Sequence, residues 1–217
     1  MKHLNTILVA GVLVVVTVAL LLATTASASP PSAANSTTPS AIRLVETNGS
    51  SPDAATGGFS MVIRGLANNP IANASVTIDF SNCPDVDLCG DQMDAAATVT
   101  CAGRTVRKIT NTSGEVQFVV LGHSHGSANA GMATERARIF ANGVLLGEPA
   151  TSEFDLDGVS AVGANDLSVW LTDFGSNLNP TRSDYDASGS VTANDLSVWL
   201  TVFGAGGSVQ SCVTTCP

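Results

Sequence analysis

Twenty-one residues of this chain occur twice. Residues 155–175 read DLDGVSAVGANDLSVWLTDFG, and residues 184–204 read DYDASGSVTANDLSVWLTVFG. The offset is 29 positions, and 14 of the 21 paired positions are identical. A repeat of this period is one small supersecondary unit used twice, since one such unit rarely buries its apolar face alone. In each copy an acidic, glycine- and serine-rich stretch runs directly into a short amphipathic segment.

The acidic stretch of the second copy has the spacing of a calcium loop. Counting Asp184 as first, oxygen-bearing side chains fall at Asp184, Asp186, Ser188, Thr192 and Asp195. Ser190, in seventh place, offers its backbone carbonyl, and Gly189 stands sixth, where such a loop turns sharply. Calcium takes hard oxygen donors in this order, and the absence of His and Cys from the set argues against zinc. The first copy keeps Asp155, Asp157 and Asp166 at positions one, three and twelve, with the carbonyl of Ala161 at seven. Val159 and Gly163 replace the side-chain oxygens at five and nine, so weaker binding is expected there. After each loop a helix is predicted, over Asn165–Phe174 and Asn194–Phe203. Leu167, Trp170, Leu171 and Phe174 recur at i, i+3, i+4 and i+7, as do Leu196, Trp199, Leu200 and Phe203. These stripes, with Val162 and Val191 between the loops, are the expected core of the module. Ten-residue helices do not persist alone in water, so the two are expected to pack on each other across a pseudo-twofold axis.

Two calcium loops with Asp in twelfth place, each followed by one helix, resemble type I dockerin repeats. The resemblance implies calcium as cofactor and, as partner, a cohesin-like protein on a scaffold or another cell-surface component. It also implies contact with that partner through Ala164 and Asn165 in the first copy and Ala193 and Asn194 in the second. The helices lack the basic residues that dockerins usually carry after the loop.

The formal charge of −9 is concentrated in this part of the chain. Eight of the 18 acidic residues fall between Glu153 and Asp195, with Arg182 the single basic residue among them. No basic stripe exists to hold nucleic acid or an anionic membrane. Lys2 and His3 precede an apolar run, Ile7–Ala23, and Ala26-Ser27-Ala28 is a small-residue cleavage signal. Residues 1–28 are read as an export signal, cleaved before Ser29 or kept as an anchor. Only the second case brings a membrane into play. Either way the remainder is expected outside the cytoplasm, where five cysteines favour disulfides over metal thiolates. Cys83 with Cys89 and Cys212 with Cys216 are close enough in sequence for local bridges, but spacing does not decide the pairing.

Residues 29–41, rich in Ser, Pro, Ala and Thr, read as a flexible linker. From 42 to 153 short alternating runs are separated by Gly, Asn and Pro turns. Strands are expected at Ile42–Glu46, Phe59–Arg64, Ala74–Phe80, Ala97–Cys101, Thr105–Thr110, Val116–Leu121, Arg136–Ala141, Val144–Leu146 and Thr151–Phe154. Asn142-Gly143 is a strong hairpin signal. The pattern is that of an antiparallel β-sandwich. The stretches Asn69–Ile78 and Thr110–Phe118 resemble bacterial Ig-like domains of surface proteins. His123-Ser124-His125 lacks the third ligand a zinc site needs and reads as a glycine-flanked loop tip. Asp85, Asp87, Asp91 and Asp94 read as a solvated loop around Cys83–Cys89. No catalytic constellation stands out.

The expected fold class is therefore mainly β. An Ig-like antiparallel sandwich over 42–153 precedes a small helical, EF-hand-like (dockerin-like) calcium module over 154–206 and a cysteine-containing tail over 207–217. The expected function is that of a secreted, non-catalytic calcium-binding protein attached to an extracellular partner through the module. The alternative is a structural surface or adhesin component in which calcium is only an intramolecular staple. An exposed apolar patch on the module would favour the first, and burial of Trp170 and Trp199 against the sandwich the second.

Overall fold

The computed structural model describes residues 29–49, 51–126, 134–159, 161–176, 178, 180–205, 212 and 214–216. The expected export signal lies outside them. Alternation in the sequence becomes alternation in burial. Strand β5 (Ser75–Asp79) turns Val76 and Ile78 fully inward and leaves Ser75, Thr77 and Asp79 half-buried on its other face. It is the centre of a five-stranded antiparallel sheet in the order β12 (Val144–Gly147), β11 (Arg138–Ala141), β5, β8 (Thr105–Ile109) and β7 (Thr98–Thr100). Asn142-Gly143 makes the β11–β12 turn, and Asn142 Oδ1 accepts from the amide of Ser75 at 2.9 Å.

Shorter pairings complete the β region. β4 (Phe59–Val62) runs antiparallel to β9 (Glu115–Phe118). β1 (Ala41–Leu44) pairs in parallel with β13 (Ala150–Glu153), a departure from the wholly antiparallel expectation. β2 (Thr47–Asn48) and β3 (Ser51–Pro52) form a small ribbon. β10 (Gly122–Ser124), β6 (Val86–Cys89) and β14 (Thr215–Cys216) make a three-stranded antiparallel sheet in that order. One apolar cluster joins Val76, Ile78 and Ile139 of the large sheet to Leu44, Met61 and Phe118 of the smaller pairings. Each such fully buried side chain contributes about 1.5–3 kcal/mol over leaving it in water. The chain is thus mainly β with several antiparallel sheets.

Three readings of this region are corrected. The stretch expected to be a free linker is hydrogen-bonded along β4: Ser32 N donates to Arg64 O at 2.8 Å and Thr37 N to Val62 O at 3.0 Å. The stretch read as a solvated loop around Cys83–Cys89 contains β6, buried along its whole length. His123-Ser124-His125 is no loop tip, because β10 pairs with β6 there and buries His123 and Ser124. Four-residue strands with polar side chains turned inward carry no alternation to read.

The repeats form helices α2 (Ala164–Gly175) and α3 (Ala193–Gly204), preceded in the chain by the single turn α1 (Ala54–Gly57). The buried stripe is rotated from the one expected. Asp166, Val169, Trp170 and Asp173 are buried in α2, and Asp195, Trp199 and Val202 in α3. Leu171, Phe174, Leu200 and Phe203 are instead 44–52 % exposed. On α2 the inward face includes Asp173, which pairs with the guanidinium of Arg182, and on α3 the same position is Val202, buried among apolar side chains. Both tryptophans join a second apolar cluster that takes in Val45, Cys89 and Leu121 from the β region.

Neither local cysteine pair is bridged. The disulfides are Cys89–Cys212 and Cys101–Cys216, and Cys83 is a buried free thiol. The helical segment therefore leaves the β region covalently at β13 and is fastened back to it by the tail. No helix among the described residues is long and apolar enough to cross a membrane. Peptide mapping without reductant should recover these two bridges and one thiol. Burial pushes the Cys83 thiol well up, so a thiol reagent should leave it untouched in native protein and label it on denaturation. Fast labelling of native Cys83, or a Cys212–Cys216 peptide, would contradict this arrangement.

Candidate metal centre

Each acidic loop is folded by its own carboxylates before any ligand is considered. In the second loop Asp184 Oδ1 accepts from Ser188 N at 3.0 Å and Oδ2 from Gly189 N at 2.7 Å. Asp195, at the start of α3, reaches back: Oδ1 accepts from Tyr185 N at 2.8 Å and Asp186 N at 3.2 Å, and Oδ2 from Thr192 N at 2.8 Å. Thr192 Oγ1 in turn accepts from Asn194 N, which caps the helix. Gly189 holds a φ of +87°, which a β-carbon would strain, so the sixth position requires glycine. Ser188 donates to the carbonyl of Ser190 at 3.1 Å, which joins positions five and seven.

The first loop repeats this frame. Asp166 Oδ1 accepts from the amides of Leu156 and Asp157, and Oδ2 from Gly163 N at 2.6 Å. Asp155 Oδ1 accepts from Gly158 N at 2.7 Å. The loop's fourth residue, Gly158, has a φ of +69°, as the fourth residue of the second loop, Ala187, has one of +54°, and a β-carbon on Gly158 would lie 2.6 Å from Ser124 O in β10. Val159, at the fifth position, is 63 % exposed and supplies no side-chain oxygen.

In both copies positions one, three and twelve converge. Asp155, Asp157 and Asp166 each present a carboxylate oxygen within 4.8 Å of the others, as do Asp184, Asp186 and Asp195. Asp155, Asp166, Asp184 and Asp195 are buried, whereas Asp186 is exposed. Of the remaining predicted ligands, Ser188, Ser190 and Thr192 lie in the second loop's hydrogen-bonded frame, and among the described residues no hydrogen bond joins Ala161 to the first triad.

Such crowding has an electrostatic consequence. Burial, with the charges of Asp155 and Asp157 adding to it, pushes the Asp166 carboxyl up to about 6 against the two amides that lower it. Burial likewise raises Asp155 and Asp184. Asp186 is held low, chiefly by the Ser188 hydroxyl. A hard divalent cation relieves this repulsion by taking the place of the protons.

Sequence reasoning missed the neighbours that the β region supplies. Glu46, just beyond β1, hydrogen-bonds the Asp155 carboxyl, and the charge of His123 in β10 lowers that carboxyl too. Both lie more than 30 residues away in the chain, so no local spacing marks them. Behind the loops, Glu135 and Glu153 face each other in the interior, with Glu153 fully buried. Burial is the main cause that pushes the Glu135 carboxyl up to about 7, with the charge of Asp85 adding to it. Folded protein thus holds this proton to higher pH than the unfolded chain, whose value is about 4.5. The stability it brings is complete below pH 4.5 and lost as pH rises through 7. Glu135→Gln should therefore match the parent in urea unfolding near pH 4.5 and exceed it by about 1–3 kcal/mol at pH 8. An equal difference at both pH values would contradict a proton held at this position.

Comparison with family models, with curated proteins and with solved structures returns no match. What the two triads do has to be argued from their own geometry.

Proposed function

We propose that this is an exported, non-catalytic calcium-binding protein whose two acidic loops, once loaded, order a helical module. In the same reading the module lies against an Ig-like β-sandwich. The observation that carries it is the convergence of two carboxylate triads at positions one, three and twelve of tandem twelve-residue loops. Asp184, Asp186, Ser188, Ser190, Thr192 and Asp195 would hold the ion in the second loop. Asp155, Asp157, Ala161 and Asp166 would do so in the first, with water completing the shell. Calcium here acts as a staple. Trp170 and Trp199 are 1 % and 0 % exposed, and Trp199 Nε1 donates to Phe154 O at 3.2 Å. Neutralising the loops removes the repulsion that opposes this packing.

The attachment reading rests on a different observation. Leu171, Phe174, Leu200 and Phe203 form matching exposed apolar pairs on α2 and α3, and Ala164, Asn165, Ala193 and Asn194 are exposed at the helix starts. This is the disposition a dockerin-like module would offer a cohesin-like protein or cell-surface component. Leu171→Asp with Leu200→Asp separates the two readings. If calcium is only a staple, calcium affinity and thermal stability stay as in the parent and no association is lost. If the module docks, calcium-dependent association with a purified cohesin domain disappears.

Calorimetric titration of the chelator-stripped chain should show calcium binding at about micromolar affinity or tighter. Asp184→Ala should remove the tighter site and most of the calcium-induced gain in melting temperature, which is about 3 kcal/mol of stability at a hundredfold excess over Kd. Asp155→Ala should cost less, because the first loop lacks side-chain oxygens at positions five and nine. Absence of binding heat with an unchanged fold would refute the calcium reading.

A further inference from the structure

A cavity of about 260 Å³ opens between β1, α1 and the second acidic loop, lined among others by Ser40, Arg43, Thr56, Phe59, Tyr185 and Asp186. A second, of about 230 Å³, adjoins it and shares Gly58 and Phe59. We propose that this pair of cavities binds a neutral, polyhydroxylated ligand, one or two sugar rings in extent.

The lining selects this chemistry. Arg43 and Asp186 are the first cavity's charged side chains, and they cancel. With a divalent ion set against the three carboxylates of the second loop, Arg43 again balances the remainder. A net anion would meet Asp186 and a net cation Arg43, so neither gains from entering. Hydroxyl groups can use both, accepting from the guanidinium and donating to the carboxylate. Arg43 is fixed for this role because its Nε donates to Tyr185 O at 2.7 Å. Ser40 and Thr56 add hydroxyls at the rim and wall.

Phe59 supplies the apolar surface that the C–H face of a sugar ring needs. Its ring is half-buried, stacks on Phe118 at 5.8 Å between centroids, and stands where the two cavities join. Gln117 of β9 brings an amide to the second cavity. A small, mixed polar and aromatic site of this kind suits weak recognition, with Kd of about 0.1–10 mM for one or two rings.

The inference shares Asp186 with the calcium reading, and one set of proteins separates them. The chain, loaded with calcium, is titrated with cellobiose, maltose, lactose and N,N′-diacetylchitobiose by saturation-transfer NMR and calorimetry, with inorganic phosphate as the anionic control. At least one saccharide should bind saturably, and Phe59→Ala and Ser40→Trp should each weaken it about tenfold or more. Ser40 is exposed, so a tryptophan there fills the mouth of the cavity without entering the core. Its calcium titration should match the parent. No saturable signal from any of the four sugars would overturn the proposal, as would binding that survives both substitutions or is displaced by phosphate.

Discussion

Burying a guanidinium costs several kcal/mol unless its donors are met, and Arg182 meets them with carboxylates from distant parts of the chain. It is 2 % exposed. Its Nε and Nη2 take both oxygens of Asp173 on α2, at 2.8 and 3.0 Å, and Nη1 takes Asp85 Oδ2 at 2.8 Å. Ser183 Oγ adds a third bond to Asp173 at 2.6 Å. Removing any one partner would leave an uncompensated interior charge, so the arrangement holds together or fails together. It lies in the short turn between the two repeats, so the same contact sets the second loop's entry and the first helix's inward face.

The acidity of this region then has three kinds of answer. Asp173 and Asp85 share the guanidinium of Arg182 inside the protein. The loop carboxylates have no such partner: burial raises Asp155, Asp166 and Asp184, and the backbone amides they accept from offset this only in part. Groups that fold a loop through amides yet keep a surplus of negative charge are suited to a cation rather than to a fixed partner. The interior pair Glu135 and Glu153 is a third case, where neither cation nor amides suffice and a shared proton is the remedy.

What was legible in the sequence follows the range of the interactions responsible. The nine strands read from alternation are all present, because a half-buried strand records its two faces residue by residue. The loop positions of Asp155, Asp166, Asp184 and Asp195 were legible for the same reason, each carboxylate reaching amides at most ten residues away. The stripe on α2 and α3 was misread because periodicity shows that Leu and Phe recur, not which side of each helix meets the β region. β6, β10 and β14 were invisible since their burial is imposed by one another and by disulfides spanning more than 110 residues. Glu46 beside Asp155 belongs to that class.

Divergence between the two copies shows what each copy touches. Position two is Leu156 in one and Tyr185 in the other, both fully buried. The tyrosine hydroxyl donates to Glu153 O at 3.0 Å, and its ring stacks on Phe154 at 4.5 Å. Near the helix end, Asp173 pairs with Arg182 where its counterpart Val202 lies in the apolar cluster. The tryptophans occupy matching positions, yet Trp199 Nε1 bonds Phe154 O while Trp170 Nε1 is buried and has no hydrogen-bond partner among the described residues. If the helices met only each other, identical residues would meet matching partners and nothing would hold Tyr185 and Asp173 apart from Leu156 and Val202. The differences fall at contacts with the β13 end of the β region and with Arg182. The asymmetry of the repeat thus accompanies asymmetric packing against the β region, whereas the exposed Phe174 and Phe203, which stack on Trp170 and Trp199 of their own helices at 5.3 and 5.2 Å, match in the two copies.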